Sequence, residues 1–140
     1  MMAARSNKQV QRFYRVAEKH LGDAELLYEH GSKTGGAIYL GGYVVECALK
    51  ALLLARTARR QQPETMELFR GTRAHEFEWL KMQLRSKGVK ASPEISEKLS
   101  TLRSWSVAMR YDPTEKSQRE TREFLLAARA VLAWVKRNLS

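Results

Sequence analysis

Between Ala37 and Ala55 the chain carries only two charges, Glu46 and Lys50, and is otherwise almost wholly apolar. A helix of that composition has no polar face to leave in water, so other elements must enclose it on most sides. Around it the sequence shows no strand-like alternation of useful length, whereas apolar residues recur at steps of three and four from end to end. The pattern predicts an all-α fold, an up-and-down bundle of four to five antiparallel helices joined by short connections.

The first helix is predicted from Asn7 to His30, with Val10, Phe13, Tyr14, Ala17, Leu21, Ala24, Leu27 and Tyr28 on one stripe and Gly31 as its stop. The second, from Thr34 to Thr57, is the central one. Gly35, Gly36, Gly41 and Gly42 within it are poor helix formers, which predicts a neighbouring backbone or a ligand in close approach. Arg56 to Ala74 reads as a polar loop, with a helical turn possible at Met66 to Phe69. A third helix follows from His75 to Lys87, presenting Phe77, Trp79, Leu80, Met82 and Leu84. Ser92-Pro93 starts a fourth, carrying Ile95, Leu99, Leu102, Ser106 and Met109 on one face with Trp105 beside it. Asp112-Pro113-Thr114-Glu115 has the form of a capping box opening a fifth helix, whose stripe runs through Phe124, Leu125, Ala128, Val131, Leu132 and Val135.

At 140 residues and 44% hydrophobic, residues 1–140 fit one domain with a real core. The formal charge of +10 favours polyanionic partners, namely nucleic acid, nucleotides or acidic protein surfaces, although a basic surface also serves solubility. A single cysteine, Cys47, excludes an internal disulfide and fits a cytoplasmic protein. Arg5, Lys8, Arg12 and Arg15 interrupt any signal-like apolar run near the start, and the Ala37 to Ala55 stretch, broken by two glycines and two charges, reads as a buried helix rather than a membrane span.

Three groups of residues have chemistry to offer. Glu46 and Lys50 stand one helical turn apart and can pair, yet their surroundings should be buried, and a buried charge needs a partner. His75 follows Arg70 and Arg73 at the entry to a helix, where it can bind an anion, act as acid or base, or simply hydrogen-bond nearby backbone. Trp105, Arg110 and Tyr111 bring together an indole, a guanidinium and a phenol, suited to stacking on a base and clamping a phosphate; the other reading is a core tryptophan with Arg110 tied to Glu46. His20 and His30 read as surface residues. No phosphate loop, His-Glu-x-x-His or cysteine pair occurs, so neither a metal nor another cofactor is expected.

Four segments, Tyr39-Leu40-Gly41-Gly42-Tyr43-Val44-Val45-Glu46-Cys47-Ala48-Leu49-Lys50, His75-Glu76-Phe77-Glu78-Trp79-Leu80, Trp105 to Pro113, and Val131-Leu132-Ala133-Trp134-Val135-Lys136, resemble in order and spacing a prokaryotic HEPN domain. The resemblance implies a dimeric four- or five-helix bundle from a toxin–antitoxin or defence module, with a nucleotidyltransferase as its protein partner. The preferred reading is a non-catalytic binding module whose groove, lined by Tyr43, Glu46, Lys50, His75, Trp105, Arg110 and Tyr111, takes a nucleotide or a strand of RNA or docks a partner enzyme. Many HEPN domains are metal-independent ribonucleases with an Arg-x(4–6)-His signature in a late helix. Arg103 to Tyr111 contains no histidine, which argues against nuclease activity; Arg70 and His75 satisfy the spacing, but ahead of the third helix. The alternative is therefore a ribonuclease toxin using His75 with Arg70 or Arg110.

Overall fold

The computed structural model describes residues 7–31, 33–103, 105–106 and 115–139. Those residues form six α-helices and no strand: α1 (Lys8–Gly31), α2 (Thr34–Ala55), α3 (Gln62–Leu68), α4 (Phe77–Ser86), α5 (Pro93–Thr101) and α6 (Gln118–Asn138), with 3₁₀ turns at Arg59–Gln61 and Thr72–His75. The fold is an all-helical bundle.

Its centre is α2, packed by α1, α6 and α4. Enclosure from three directions is what its composition demands: Val44, Val45, Leu49, Leu52 and Leu54 are fully buried there, meeting Val131 and Val135 of α6 and Leu80 of α4 in one core. By length and composition α2 could cross a membrane, but most of it lies covered inside the bundle.

The predicted Arg56 to Ala74 loop is in fact mostly helical. Gln62 explains why: its side-chain amide donates to the Leu54 carbonyl at 3.1 Å and its oxygen accepts from Asn7 at 2.6 Å, while Pro63 occupies the first turn of α3. Asn7 also caps α1 by accepting from the Gln9 and Val10 amides, so one side chain joins two helix starts. Phe69 then packs edge-on against Phe13 of α1 at 5.6 Å, anchoring the segment to the core.

Two further boundaries differ from expectation. Ser92 caps α5 as predicted, accepting from the Ile95 amide, but the helix stops at Thr101, so Trp105 and Ser106 are not helical; Met109 lies outside the described residues. The capping box at Asp112-Pro113-Thr114 also lies outside them, and its Glu115 has another role. Ser117, not Asp112, caps α6, whereas the Glu115 carboxylate accepts from the Thr34 hydroxyl at 2.6 Å and the Gly35 amide at 2.9 Å. Thr34 in turn accepts from the Lys116 amide, stitching the entry of α6 to the first turn of α2. On α4, Met82 faces solvent rather than the core.

Candidate functional site

The two charges of α2 lie within the core. Lys50 Nζ donates to Glu46 Oε2 at 2.8 Å, with both side chains about 95% buried, at 6% and 5% exposure respectively. The ammonium also lies 5.1 Å from the centre of the Phe69 ring, whose π face offsets part of its lost hydration. Glu46 uses its second oxygen on His75, Oε1 to Nδ1 at 2.9 Å. The Thr72–His75 turn makes this contact across the fold by seating Ala74 in the core, leaving the imidazole beside it partly exposed.

A carboxylate paired to an ammonium can only accept hydrogen bonds, so the neutral imidazole carries its proton on Nδ1 and presents a bare Nε2. Among the described residues nothing hydrogen-bonds to Nε2. Lys50, Glu46 and His75 thus form a chain running from the core outward, ending in a held ring.

His75 opens onto a cavity of about 360 Å³, shared with Glu76, Glu78 and Arg103 against a wall of Phe77, Leu99 and Trp105. Arg103, Glu76 and Glu78 make no ion pair or hydrogen bond with a described residue through their side chains. None of the three was picked out from the sequence. For Arg103 the reason is geometric: residues two apart on a helix face opposite ways, and only because α5 ends at Thr101 do Arg103 and Trp105 line one cavity.

Trp105 needs a correction. Its indole N–H donates to the Tyr39 carbonyl at 3.0 Å, its ring stacks on Phe77 at 5.3 Å and 7°, and Tyr43 meets it edge-on at 5.0 Å. A Cβ on Gly42 would fall 1.9 Å from the indole, so the glycine exists to admit this ring, not a neighbouring backbone. With only 6% exposure, Trp105 is a wall of the cavity and not a platform for a base. Gly41 is similarly crowded by the side chains of Leu125 and Phe124.

Tyr43 lies behind that wall, its hydroxyl 3.2 Å from that of Tyr39. Arg70 does not line the cavity; exposed on the surface, it pairs with Glu67 at 3.2 Å, three residues back along the chain. Arg110 and Tyr111 lie outside the described residues, and both oxygens of Glu46 are engaged by Lys50 and His75.

His20 is not a simple surface residue. It tilts against Tyr43 at 6.1 Å with Nδ1 buried and unpartnered, and burial, assisted by the Lys19 charge, holds its pKa below the ordinary imidazole value against the pull of Asp23 and Glu46. His30 is exposed. Burial and the Glu46 charge push the Cys47 thiol up to about 12, which makes it an inert packing residue. Among the described residues no cluster of histidine, cysteine or carboxylate groups has the arrangement of a metal site.

A family model of the HEPN domain matches residues 10–138, nearly the whole of the described bundle. No curated protein and no solved structure gives a match.

Proposed function

This chain belongs to the HEPN domain family, and from that premise we propose that it is a binding module which takes a nucleotide or a segment of RNA in the cavity beside His75. The observation that carries this reading is the Lys50–Glu46–His75 chain, which fixes an imidazole at the edge of a cavity holding a guanidinium that pairs with no described residue. Arg103 supplies the cation for a phosphate and the bare Nε2 of His75 accepts a hydrogen bond from a ribose hydroxyl, while Phe77, Leu99 and Trp105 exclude water from one side. The formal charge of +10 adds long-range attraction for such a ligand. A homodimer in the cytoplasm, working beside a nucleotidyltransferase in a toxin–antitoxin or defence pair, is the setting that best fits a module of this kind.

Fluorescence titration with labelled single-stranded RNA and with mononucleotides tests it. Binding is expected at low salt and should weaken as salt rises; Arg103→Ala should weaken it and lower the dependence of log K on log salt by about one phosphate contact. Absence of binding at low salt, or full affinity in both Arg103→Ala and His75→Ala, would remove the site.

The Glu46–His75 contact also favours a second reading, a ribonuclease. In that case Nε2 takes the proton of a ribose 2′-hydroxyl, the hydroxyl oxygen attacks the adjacent phosphorus to give a 2′,3′-cyclic phosphate, and the 5′-oxygen leaves with a proton from water, Arg103 stabilising the charge that builds on the phosphate. RNA cleavage by the wild type that is lost in His75→Ala would establish this role. Equal cleavage by the two proteins would exclude His75 from it.

A further inference from the structure

A cavity built for phosphate alone has no use for carboxylates, yet this one has two, Glu76 and Glu78, exposed and joined to no described residue. Like charges this close to an intended anion cost affinity unless they meet hydrogen-bond donors on the same ligand. The ligand must therefore carry an anionic end for Arg103 and a donor edge for a glutamate. Among the four RNA bases only guanine presents two adjacent donors, N1–H and the N2 amino group, on its Watson–Crick edge. Adenine and cytosine each set one amino donor beside an acceptor, and uracil flanks its single N–H with two carbonyls. A carboxylate, which only accepts, pairs with both guanine donors at once and meets a repelling lone pair on each of the others.

We propose that the cavity selects guanine, read by Glu76, with the attached phosphate held by Arg103 and a ribose hydroxyl by His75. Two observations single out Glu76. It is the residue preceding α4, in extended conformation, and its side chain makes no capping hydrogen bond, so its carboxylate has no part in the helix start. Glu78, in the first turn of α4, already faces the positive helix end. The volume of about 360 Å³ lies in the range of small-molecule sites and is too small for a folded RNA element, so it admits one nucleotide, free or splayed out of a strand.

This selectivity rests on the proposed nucleotide-binding role, and one experiment separates the two. Calorimetric titration at low salt would compare GMP, AMP, CMP, UMP and IMP, which lacks the N2 amino group, alongside an oligouridine with and without a single central guanine. GMP is expected to bind roughly 10- to 100-fold tighter than AMP, with IMP between them, a range typical of a bidentate base contact. Glu76→Gln, which keeps one acceptor but turns a donor toward the base, should weaken GMP and tighten AMP, whose N1 accepts from the new donor, so that the preference for guanine is lost. Arg103→Ala should weaken all five. Tight GMP binding identifies a free nucleotide as the ligand, whereas preference seen only in the guanine-containing strand identifies RNA. Equal affinity for all the mononucleotides and both strands, or a guanine preference that survives Glu76→Gln, overturns the selectivity while leaving the binding role intact. No binding of any probe overturns both.

Discussion

Glu46 is held by one cation, one imidazole and very little water. Removing a single partner from a buried ion pair leaves the other charge stranded, so Glu46→Ala should lose about 3–5 kcal/mol of stability in urea denaturation. Replacing both charges by apolar groups of similar size, Glu46→Leu with Lys50→Met, removes the stranded ammonium and should recover most of that loss. The double variant should nevertheless bind nucleotide or RNA less well, because His75 loses the acceptor that fixes its ring. A double variant as unstable as Glu46→Ala would mean that the pair is kept for folding and not for the cavity. At this scale the sequence was informative, since an i, i+4 pair inside an apolar helix announces itself. His75, twenty-nine residues away, was picked out for its position at a helix entry, but its bond to Glu46 was not legible, because a contact between elements depends on how the 3₁₀ turn seats Ala74.

Between elements, the decisive contact is the indole of Trp105 laid over Gly42. Alanine at Gly42 would gain up to about 1 kcal/mol of helix propensity, yet its methyl group would meet the ring at 1.9 Å. That ring is held by the Phe77 stack and the Tyr39 carbonyl and cannot easily yield. Overpacking of this kind costs roughly 1–3 kcal/mol. Gly42→Ala is therefore expected to be net destabilising, with lower intrinsic tryptophan quenching protection as Trp105 is displaced; a variant more stable than the wild type would contradict the packing described. The glycines of α2 foretold a close approach, but not that a side chain makes it. The end of α5 was misjudged for a related reason: the apolar spacing continues past Thr101, and only packing of Leu102 and Trp105 into the core turns the chain out of the helix. Glu115 looked like part of a local capping box because Asp112 stands three residues before it, while its actual partners sit about eighty residues earlier.

For the molecule as a whole, acid sensitivity follows from two groups with opposite chemistry and the same sign. His20 is held neutral by burial, so its folded pKa lies below the ordinary 6.5. Between those values the unfolded chain binds more protons, and stability is lost as pH falls from about 6.5. Glu115, drawn below the ordinary carboxylate range first by the Thr34 hydroxyl and then by the Gly35 amide, adds a second loss at lower pH, as its folded-state value is approached. Thermal melts from pH 7.5 to 4 should show both declines; His20→Gln should flatten the upper one and Glu115→Gln the lower. A melting temperature that rises on acidification to pH 5 would contradict the burial of His20. Helical class, the enclosed second helix, its paired charges and the family resemblance were all determined by the sequence itself, because periodicity, composition and spacing along one helix are local properties. The tertiary structure alone decided that Arg103, Glu76 and Glu78 share a cavity with His75, and that Trp105 walls it, because groups from three elements meet only once each helix has stopped where packing requires.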